Sequence, residues 1–414
     1  MNCEIIAVGS ELLTPYRQDT NSLYVTERLY ELGVRVTFKT IVGDRLENMV
    51  DAIQAALHRV DILILMGGLG PTEDDVTRQA VAAALRISLK RDPEIVAQIY
   101  TRFAARRLQM THNNSRQGDR LEGATILDNP NGTAPGQWLD TVYGGHRKLI
   151  ALLPGPPSEL KPMMDQECMP LLRDALPPRF IAKRTLKAAM IGESAADARI
   201  APIYTKFTDV ETTILAHIGD IQLNLMCTKK AMDLAQRRVD ELAEKIEEEL
   251  DDLIYSSQGE TLEQIVLYYL EMKGATLSVA ESCTGGLMSE RLTSISGSSR
   301  SFLGGAIVYS NKLKTDFANV PPELIEEFGA VSSQVAKAMA EGIRERVGST
   351  FCCGITGIAG PGGGTEEKPV GLVYLAVADG KHTDIVERRL MGDRERIRQW
   401  AAQQGLDMVR RRLM

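Results

Sequence analysis

Short apolar runs, each followed by a helical pattern, recur at both ends of this 414-residue chain. In the first part the apolar runs cover residues 5–8, 34–42, 62–66 and 149–153, and the helical patterns cover 21–32, 46–60 and 76–85. Strands that alternate with helices in this way form parallel sheets with crossover helices on both faces. We therefore predict an α/β chain that begins with a three-layer αβα domain around a mostly parallel sheet.

Two breaks divide the rest of the chain. Residues 176–180 contain two adjacent prolines, and residues 256–259 form a polar link. Both compositions interrupt regular elements. We predict a first domain over 1–172, a small α+β domain over 180–255 and a third, α/β domain over 258–414.

The two later domains have their own patterns. In the middle domain, strands are predicted at 184–190, 211–216 and 221–227, with a long helix at 230–253. In the last domain, helices are predicted at 261–273, 286–293, 332–347 and 394–412, and strands at 277–280, 305–309, 351–356 and 370–377.

Charge and cysteine usage narrow the class of protein. The formal net charge of -7 argues against the broad basic surface that nucleic-acid binding requires. None of the six cysteines forms a C-x-x-C pair, so a reducing cytoplasm is expected. The apolar runs are too short to span a bilayer, and the start lacks a basic leader. We expect a cytoplasmic protein whose partners are small molecules, with neither nucleic acid nor membrane among them.

Residues 279–286, Val-Ala-Glu-Ser-Cys-Thr-Gly-Gly, place a hydroxyl and a thiol at a strand-to-helix turn. Ser282 is a candidate nucleophile, and Cys283 beside it is a rival because helix ends can lower a thiol's pKa. The backbone N–H groups of Thr284, Gly285 and Gly286 could stabilise an oxyanion or a phosphate. An ordinary turn explains this segment alone equally well.

Residues 308–314 supply a phenol and two amines after a strand. Lys314 could accept a proton from Ser282 only if burial lowers its pKa from about 10.4 toward neutrality. Otherwise Lys314 is a solvent-facing lysine and Tyr309 a packing residue. A serine-lysine arrangement is favoured over a histidine triad, because these motifs contain no histidine.

A glycine-rich loop over 354–365 lacks the Gly-Lys-Ser/Thr ending of a P-loop. Its backbone could still approach a ligand at Gly357 and Gly360, beside the Thr356 hydroxyl. Arg394 adds a guanidinium able to bind phosphate. A flexible turn and a surface arginine are the alternative. Cys352 and Cys353 lie in an apolar strand and are expected to be inert core thiols.

The first domain contains a second glycine-rich motif, Met-Gly-Gly-Leu-Gly-Pro-Thr-Glu-Asp-Asp over 66–75. It follows a buried strand, where open α/β sheets bind ligands. Its glycines and hydroxyl would contact phosphates, and Asp74 and Asp75 could hold a divalent cation. A turn with capping acids is the alternative. The full set of candidate binding residues here is Gly9, Glu11, Asp19, Asn21, Gly67, Gly68, Gly70, Thr72, Asn131, Gly132, Gly155 and Pro156.

Taken together, these motifs resemble the competence/damage-inducible protein A family, CinA, over essentially the whole chain. The first domain is similar to molybdopterin-binding domains through residues 9–13, 19–21 and 67–75. The last domain is similar to nicotinamide-mononucleotide deamidase through residues 280–286, 309–311 and 357–361. The middle domain is similar to a KH-type module, but residues 192–195, Gly-Glu-Ser-Ala, are not the Gly-x-x-Gly clamp used on RNA. It is interpreted as a spacer or dimer element.

The resemblance implies two hydrolytic activities. In the last domain, nicotinamide mononucleotide would give nicotinate mononucleotide and ammonia, with Ser282 as nucleophile, Lys314 as base, Tyr309, Thr356 and Arg394 in support, and no cofactor. In the first domain, ADP-ribose would give AMP and ribose 5-phosphate with a divalent metal ion (Mg, Mn or Co). A homodimer is expected. The alternatives are a non-catalytic nucleotide- or molybdopterin-binding scaffold linked to competence, or an adenylyl-transferring domain.

Overall fold

A computed structural model describes residues 1–105, 107, 109–177 and 179–414. Two compact units make up the chain, Met1–Ile181 and Ala182–Met414. Pro178, one of the two prolines behind the first predicted boundary, lies outside the described residues. The division of the second unit into two domains, and the exact boundaries given above, stay predictions.

The first unit alternates strands and helices along most of its length. Its helices and strands are β1 (Asn2–Val8), α1 (Asn21–Glu31), β2 (Arg35–Val42), α2 (Leu46–Arg59), β3 (Ile62–Met66), α3 (Thr77–Leu85), β4 (Leu89–Arg91), α4 (Pro93–Ala105), β5 (Asp119–Leu121), β6 (Thr125–Leu127), β7 (Gly136–Tyr143), β8 (His146–Leu153), α5 (Pro157–Met163) and α6 (Met169–Ala175). A π-helical turn, Met164–Cys168, joins the last two helices.

The six-stranded sheet of this unit has the order β2-β1-β3-β8-β7-β6. The four strands from β2 to β8 run parallel, whereas β7 and β6 are antiparallel additions. Alternate residues of β3 pack into two separate cores: Ile62 and Ile64 face α1, α5 and α6, and Leu63 and Leu65 face α2 and α3. Apolar side chains on both faces of a strand require cover on both sides. The predicted three-layer, mostly parallel architecture is thereby confirmed.

The second unit contains two sheets. Its helices and strands are β9 (Phe180–Ala189), α7 (Glu193–Tyr204), β10 (Val210–His217), β11 (Asp220–Lys229), α8 (Met232–Leu250), β12 (Ile254–Ser256), α9 (Leu262–Met272), β13 (Leu277–Glu281), α10 (Leu287–Thr293), β14 (Phe302–Ile307), α11 (Asn311–Ala318), α12 (Pro322–Phe328), α13 (Ser333–Val347), β15 (Phe351–Gly357), β16 (Leu372–Ala378), β17 (Thr383–Arg389) and α14 (Arg394–Leu413).

The smaller sheet has the order β10-β11-β9-β12 and packs against α7 and α8 through one apolar core. Gly192 is the N-cap residue of α7.

The larger sheet has the order β14-β13-β15-β16-β17. Its first three strands are parallel and its last two are antiparallel. Helices α9, α10 and α14 cover one face, and α11 and α13 cover the other.

Sequence patterns located many long elements to within a few residues, including the antiparallel strands predicted at 211–216, 221–227 and 370–377, but missed others, among them helices α4 and α7. The strand predicted at 305–309 is Phe302–Ile307, because Val308 and Tyr309 already belong to the loop after β14. Strands β6, β7 and β17 were not predicted. No helix among the described residues has the length and apolar character that a bilayer crossing needs.

Candidate functional site

Three neighbouring parallel strands of the larger sheet end at one edge. Glu281, the last residue of β13, pairs with Ile307 of β14 and Ile355 of β15. The chain positions that follow, 282, 308 and 356, therefore lie side by side. Ligands of open α/β sheets bind at such carboxyl ends. The topology thus brings together motifs that are far apart in the sequence.

A cleft of about 270 Å³ lies at this edge. Eight residues predicted for the site line it: Ser282, Cys283, Tyr309, Lys314, Thr356, Gly357, Gly360 and Arg394. Thr284, Gly285 and Gly286 do not line it, although they belong to the same turn. The predicted site therefore assembles, but three of its expected ligand contacts do not line the cleft.

Ser282 is held by its backbone immediately after β13. Its N–H donates to the carbonyl oxygen of Ile355 at 2.9 Å, and its own carbonyl accepts from the N–H of Gly285 at 3.1 Å. Burial raises the pKa of the neighbouring Cys283 thiol to about 12. Since the thiolate is the reactive form of cysteine, the surroundings favour Ser282 over Cys283 as nucleophile.

Lys314 is almost completely buried, with 2% of its surface exposed. Its Nζ donates to the carbonyl oxygens of Val308 at 3.1 Å and Tyr309 at 3.2 Å. Burial lowers the pKa of Lys314. A neutral amine has two N–H groups and one lone pair, so two carbonyls satisfy both donors and leave the lone pair to accept a proton. The lysine is therefore suited to act as a base.

Local sequence explains why Lys314 occupies this position. The Ser310 hydroxyl accepts from the N–H of Leu313 at 3.2 Å and thereby caps α11. N-cap serines fix the point at which a helix starts. Lys314 lies in the first turn after that cap. Its Nζ therefore reaches the carbonyls of Val308 and Tyr309, which belong to the loop just before the helix.

Glu281 is a site residue that the sequence reasoning missed, and it corrects one expectation. Its carboxylate is fully buried and accepts from the backbone N–H groups of Gly286 at 3.0 Å, Met288 at 3.1 Å and Ser289 at 2.8 Å. The Ser289 hydroxyl also donates to it at 2.7 Å. This carboxylate fills the start of α10, where we expected phosphate or an oxyanion to bind.

We expect Glu281→Gln to destabilise the start of α10. The amide would turn an N–H₂ group toward backbone donors, and a buried donor without an acceptor costs about 1–3 kcal/mol. Native-state hydrogen exchange over residues 286–293 should show opening easier by about 2 kcal/mol. Ser289→Ala removes one neutral donor and is the matched control, with a loss of about 1 kcal/mol. Unchanged protection in Glu281→Gln would contradict this role.

The expected oxyanion donors also need correction. The N–H groups of Gly285 and Gly286 are used by the carbonyl of Ser282 and the carboxylate of Glu281. In the described part of the chain, the N–H groups of Cys283 and Thr284 donate to no oxygen atom. In hydrolases with a nucleophile at a strand-to-helix turn, the next residue's N–H commonly serves as such a donor. The N–H of Cys283, which lines the cleft, is therefore the better candidate.

Arg394 closes the other side of the cleft. It is the first residue of α14, whose N-cap Asp393 accepts from the N–H of Arg396 at 2.8 Å. Its Nη1 donates to the carbonyl of Gly360 at 2.7 Å and its Nη2 donates to the Tyr309 hydroxyl at 2.9 Å. Each terminal nitrogen keeps one N–H, so the guanidinium can still contact an anionic ligand.

One further wall of the cleft was not predicted. Ala330 and Val331 belong to the loop between α12 and α13. The Thr356 hydroxyl donates to the carbonyl of Ala330 at 2.8 Å, and the Lys368 Nζ donates to the carbonyls of Phe328 and Val331 at 2.5 and 2.8 Å. These contacts are made by backbone carbonyls of the loop, which every residue has. The sequence of the loop therefore gave no sign that it forms a wall of the cleft.

A second candidate site lies in the first unit, at the carboxyl ends of β1, β3 and β8. A cleft of about 380 Å³ is lined by Gly9, Glu11, Gly67, Gly68, Gly70, Asp74, Asp75, Gly155 and Pro156 among the predicted residues. Asp19 and Asn21 line an adjoining cleft of about 330 Å³, which shares Glu11, Gly155 and Pro156 with the first.

Three predicted binding residues of the first unit, Thr72, Asn131 and Gly132, line neither of these clefts. The backbone N–H of Thr72 donates to Oδ2 of Asp75 at 2.9 Å, and its hydroxyl donates to the same atom. Asn131 donates to the carbonyl of Ser158 at 2.7 Å. The N–H of Gly132 donates to Asn129 at 2.9 Å. These residues shape the loops of the site.

The acidic lining of the first cleft was only partly predicted. Asp44 and Glu159 join Glu11, Asp74 and Asp75 around it. Within the described residues, no three His, Cys, Asp or Glu side chains lie close enough to hold a metal ion by themselves. Magnesium usually keeps several waters and takes one or two carboxylates plus substrate phosphates. The donor chemistry at Asp74 and Asp75 fits such an ion, held jointly with a phosphorylated ligand.

Arg78 supports the glycine-rich loop of this site from below. It is 1% exposed, and its Nη2 donates to the carbonyls of Leu69 at 3.0 Å and Gly70 at 3.3 Å. Burial lowers its pKa to about 10, so it stays charged at neutral pH. Asp44 was predictable, because it follows a parallel strand at the same edge; Arg78 looked like an ordinary helix residue.

Comparison with known proteins agrees with this arrangement. Residues 259–413 match the CinA C-terminal domain, residues 4–174 a probable molybdopterin binding domain, and residues 183–256 the KH domain of damage-inducible protein CinA. A CinA-like protein of Acidobacterium capsulatum is 69% identical over 414 residues, which cover the whole of both chains. The CinA-like protein of Koribacter versatilis is 58% identical over the same extent.

Among solved structures, the competence/damage inducible protein CihA from Agrobacterium tumefaciens is 41% identical. The match covers 36% of this chain and 90% of that one, with a TM-score of 0.35. The full-length relatives and the three domain matches, in the order predicted from the motifs, decide the assignment: this chain belongs to the CinA family.

Proposed function

We propose that the cleft of the second unit hydrolyses the carboxamide of nicotinamide mononucleotide to nicotinate mononucleotide and ammonia. The observation that carries the proposal is the pairing, in one cleft, of Ser282 with a buried lysine whose two N–H groups are taken by carbonyls. A serine needs a neighbouring base to become a nucleophile. Lys314 meets that need without a histidine.

Acylation begins when the Ser282 Oγ attacks the amide carbon and Lys314 accepts the hydroxyl proton. The oxyanion that forms is stabilised by the backbone N–H group of Cys283. Lys314 then donates its proton to the amide nitrogen, the C–N bond breaks and ammonia leaves. An ester between Ser282 and the nicotinate group remains. Removing one donor from comparable oxyanion sites costs about 10²–10³ in rate.

Deacylation repeats the sequence with water as the nucleophile. Water attacks the ester carbon while Lys314 accepts its proton, and Lys314 returns that proton to the Ser282 Oγ as the ester bond breaks. Arg394 lines the cleft with N–H groups free for the 5′-phosphate, and guanidinium forks suit phosphate oxygens. No cofactor is needed for these steps.

The test is direct. Purified full-length protein is incubated with nicotinamide mononucleotide, and ammonia and nicotinate mononucleotide are measured in equal amounts. Nicotinamide riboside, which lacks the phosphate, is the matched substrate control and should react more slowly. Binding of the mononucleotide without ammonia release would favour a non-catalytic scaffold instead.

We also propose that the first unit hydrolyses ADP-ribose to AMP and ribose 5-phosphate with a divalent metal ion. Support comes from the cleft that combines close-approach glycines with Asp74 and Asp75. The ion, when bound there, would neutralise phosphate charge and polarise the diphosphate. Asp74 and Asp75 would hold it together with the ligand's own phosphates, while Arg78 keeps the Leu69–Gly70 backbone in place.

For this site we expect Asp75→Asn to lower ADP-ribose hydrolysis by about 10²-fold, because it weakens cation binding. Glu73→Gln is the matched control: Glu73 lies two residues away, pairs with Arg116 at 2.8 Å and does not line the cleft. AMP formation is measured with Mg, Mn or Co added in turn. Equal rates and equal metal dependence in Asp75→Asn and wild type would show that the site is wrongly placed.

A further inference from the structure

Helix α14 carries a second arginine toward the nucleophile turn, one helical turn after Arg394. Arg398 does not line the cleft. Its Nε and Nη2 instead both donate to the carbonyl oxygen of Thr284, at 3.2 and 2.8 Å. Residues four apart lie on one face of a helix. The same face of α14 therefore contacts both the glycine-rich loop, through Arg394, and the turn that contains Ser282.

The contact adds to two hydrogen bonds that hold the Thr284–Gly285 peptide: the N–H of Leu287 donates to the Thr284 carbonyl at 3.3 Å, and the N–H of Gly285 donates to the Ser282 carbonyl at 3.1 Å. Gly285 and Gly286 follow with φ angles of 62° and 96°, in a region that glycine enters freely. Two charged donors on one carbonyl oxygen resist rotation of that peptide, since rotation would break both bonds. Hydrogen bonds from ionised donors are roughly twice as strong as neutral ones.

The position of Arg398 is itself fixed, because α14 is anchored further along. Gln403 donates to the carbonyl of Gly219 at 3.2 Å, and Arg410 donates to the carbonyl of Asp252 at 2.8 Å. Arg410 also forms a buried ion pair with Asp407 at 2.7 Å. Both Gly219 and Asp252 belong to the part of the chain that matches the KH domain. The helix thus cannot shift easily at the active-site end.

We propose that Arg398 is a positioning residue: by holding the carbonyl of Thr284, it fixes the turn that follows Ser282 and thereby aims the N–H of Cys283 at the oxyanion that forms beside Ser282. The proposal rests on the deamidation proposed above for its substrate, but the geometry applies to any electrophile that Ser282 attacks. Arg398 acts through the backbone of Thr284 and does not touch the ligand.

The test compares Arg398→Met with Arg396→Met. Arg396 lies on the same helix and its side chain is exposed, so this control has the same change of charge. Two rates are measured: turnover of nicotinamide mononucleotide, and labelling of Ser282 by phenylmethylsulfonyl fluoride. In the labelling reaction the Ser282 Oγ bonds to sulfur, the S–F bond breaks, fluoride leaves, and the hydroxyl proton passes to Lys314.

We expect kcat and the labelling rate to fall on the order of 10²-fold in Arg398→Met, as small misplacements of catalytic groups cause. KM should stay unchanged, and Arg396→Met should match wild type in every measurement. Arg398→Lys keeps the charge and can replace the two hydrogen bonds to the Thr284 carbonyl with one. Its rates should therefore lie between those of wild type and Arg398→Met.

Wild-type rates in Arg398→Met would overturn the proposal, and so would a raised KM with unchanged kcat. If Arg398→Met fails to fold, wild-type rates in Arg398→Lys overturn it equally. Should the wild type release no ammonia, the proposed substrate fails while labelling still decides the role of Arg398. Absence of labelling at Ser282 in the wild type contradicts both proposals.

Discussion

Ser282→Ala should lower ammonia release from nicotinamide mononucleotide by at least about 10⁴-fold, as loss of the nucleophile does in serine hydrolases. The substitution removes one oxygen atom at a position whose backbone is held by Ile355 and Gly285. Folding should therefore be unaffected. Hydrolysis of ADP-ribose, which we propose for the first unit, should continue at the wild-type rate in the same preparation.

Cys283→Ala is the matched control for Ser282→Ala. Cys283 also lines the cleft, but burial keeps its thiol protonated by raising the pKa to about 12. Ammonia release should persist in Cys283→Ala. Loss of activity in Cys283→Ala with retention in Ser282→Ala would identify the thiol as nucleophile and contradict the assignment.

Lys314→Met should lower the same reaction by about 10³-fold, within the range that general bases contribute. In the wild type, protonated Lys314 cannot accept a proton, so activity should be lost as the pH falls through the pKa of Lys314. Burial lowers that pKa, so the rise in rate with pH should have its midpoint below about 10.4, the ordinary lysine value.

Lys312→Met is the matched control for Lys314→Met. Lys312 lies two residues away in α11, its side chain is 81% exposed, and it forms an ion pair with Asp316. Activity and pH profile should be unchanged in Lys312→Met. A residual Lys314→Met activity that still rises with pH at the wild-type midpoint would mean that another group is the base.

Much of the fold could be predicted from the sequence, because buried parallel strands consist of continuous apolar runs. Ile62–Met66 is fully buried on both faces and was located without error. The antiparallel strands β7 and β17 were missed, since half-exposed strands such as Thr383–Arg389 carry many charges. Which strands β7 and β17 pair with depends on the sheet topology, and local sequence patterns carry no information about that topology.

The candidate site was predictable where chemistry-bearing side chains follow parallel strands. Ser282 and Asp75 were predicted in this way, and each lines its cleft. Glu281 and Arg398 were missed because their role is to bind backbone groups, and only coordinates show which N–H or carbonyl a charged side chain reaches. For the same reason the sequence misassigned the oxyanion donors to Gly285 and Gly286.

The covalent intermediate offers the most direct test of the account. Full-length protein is mixed with nicotinamide mononucleotide, quenched in acid within one turnover and examined by peptide mass spectrometry. If Ser282 is the nucleophile, an ester-linked nicotinate mononucleotide is found on Ser282 and is absent in Ser282→Ala. An adduct on Cys283, or ammonia released with no adduct at any time in the turnover, would contradict it.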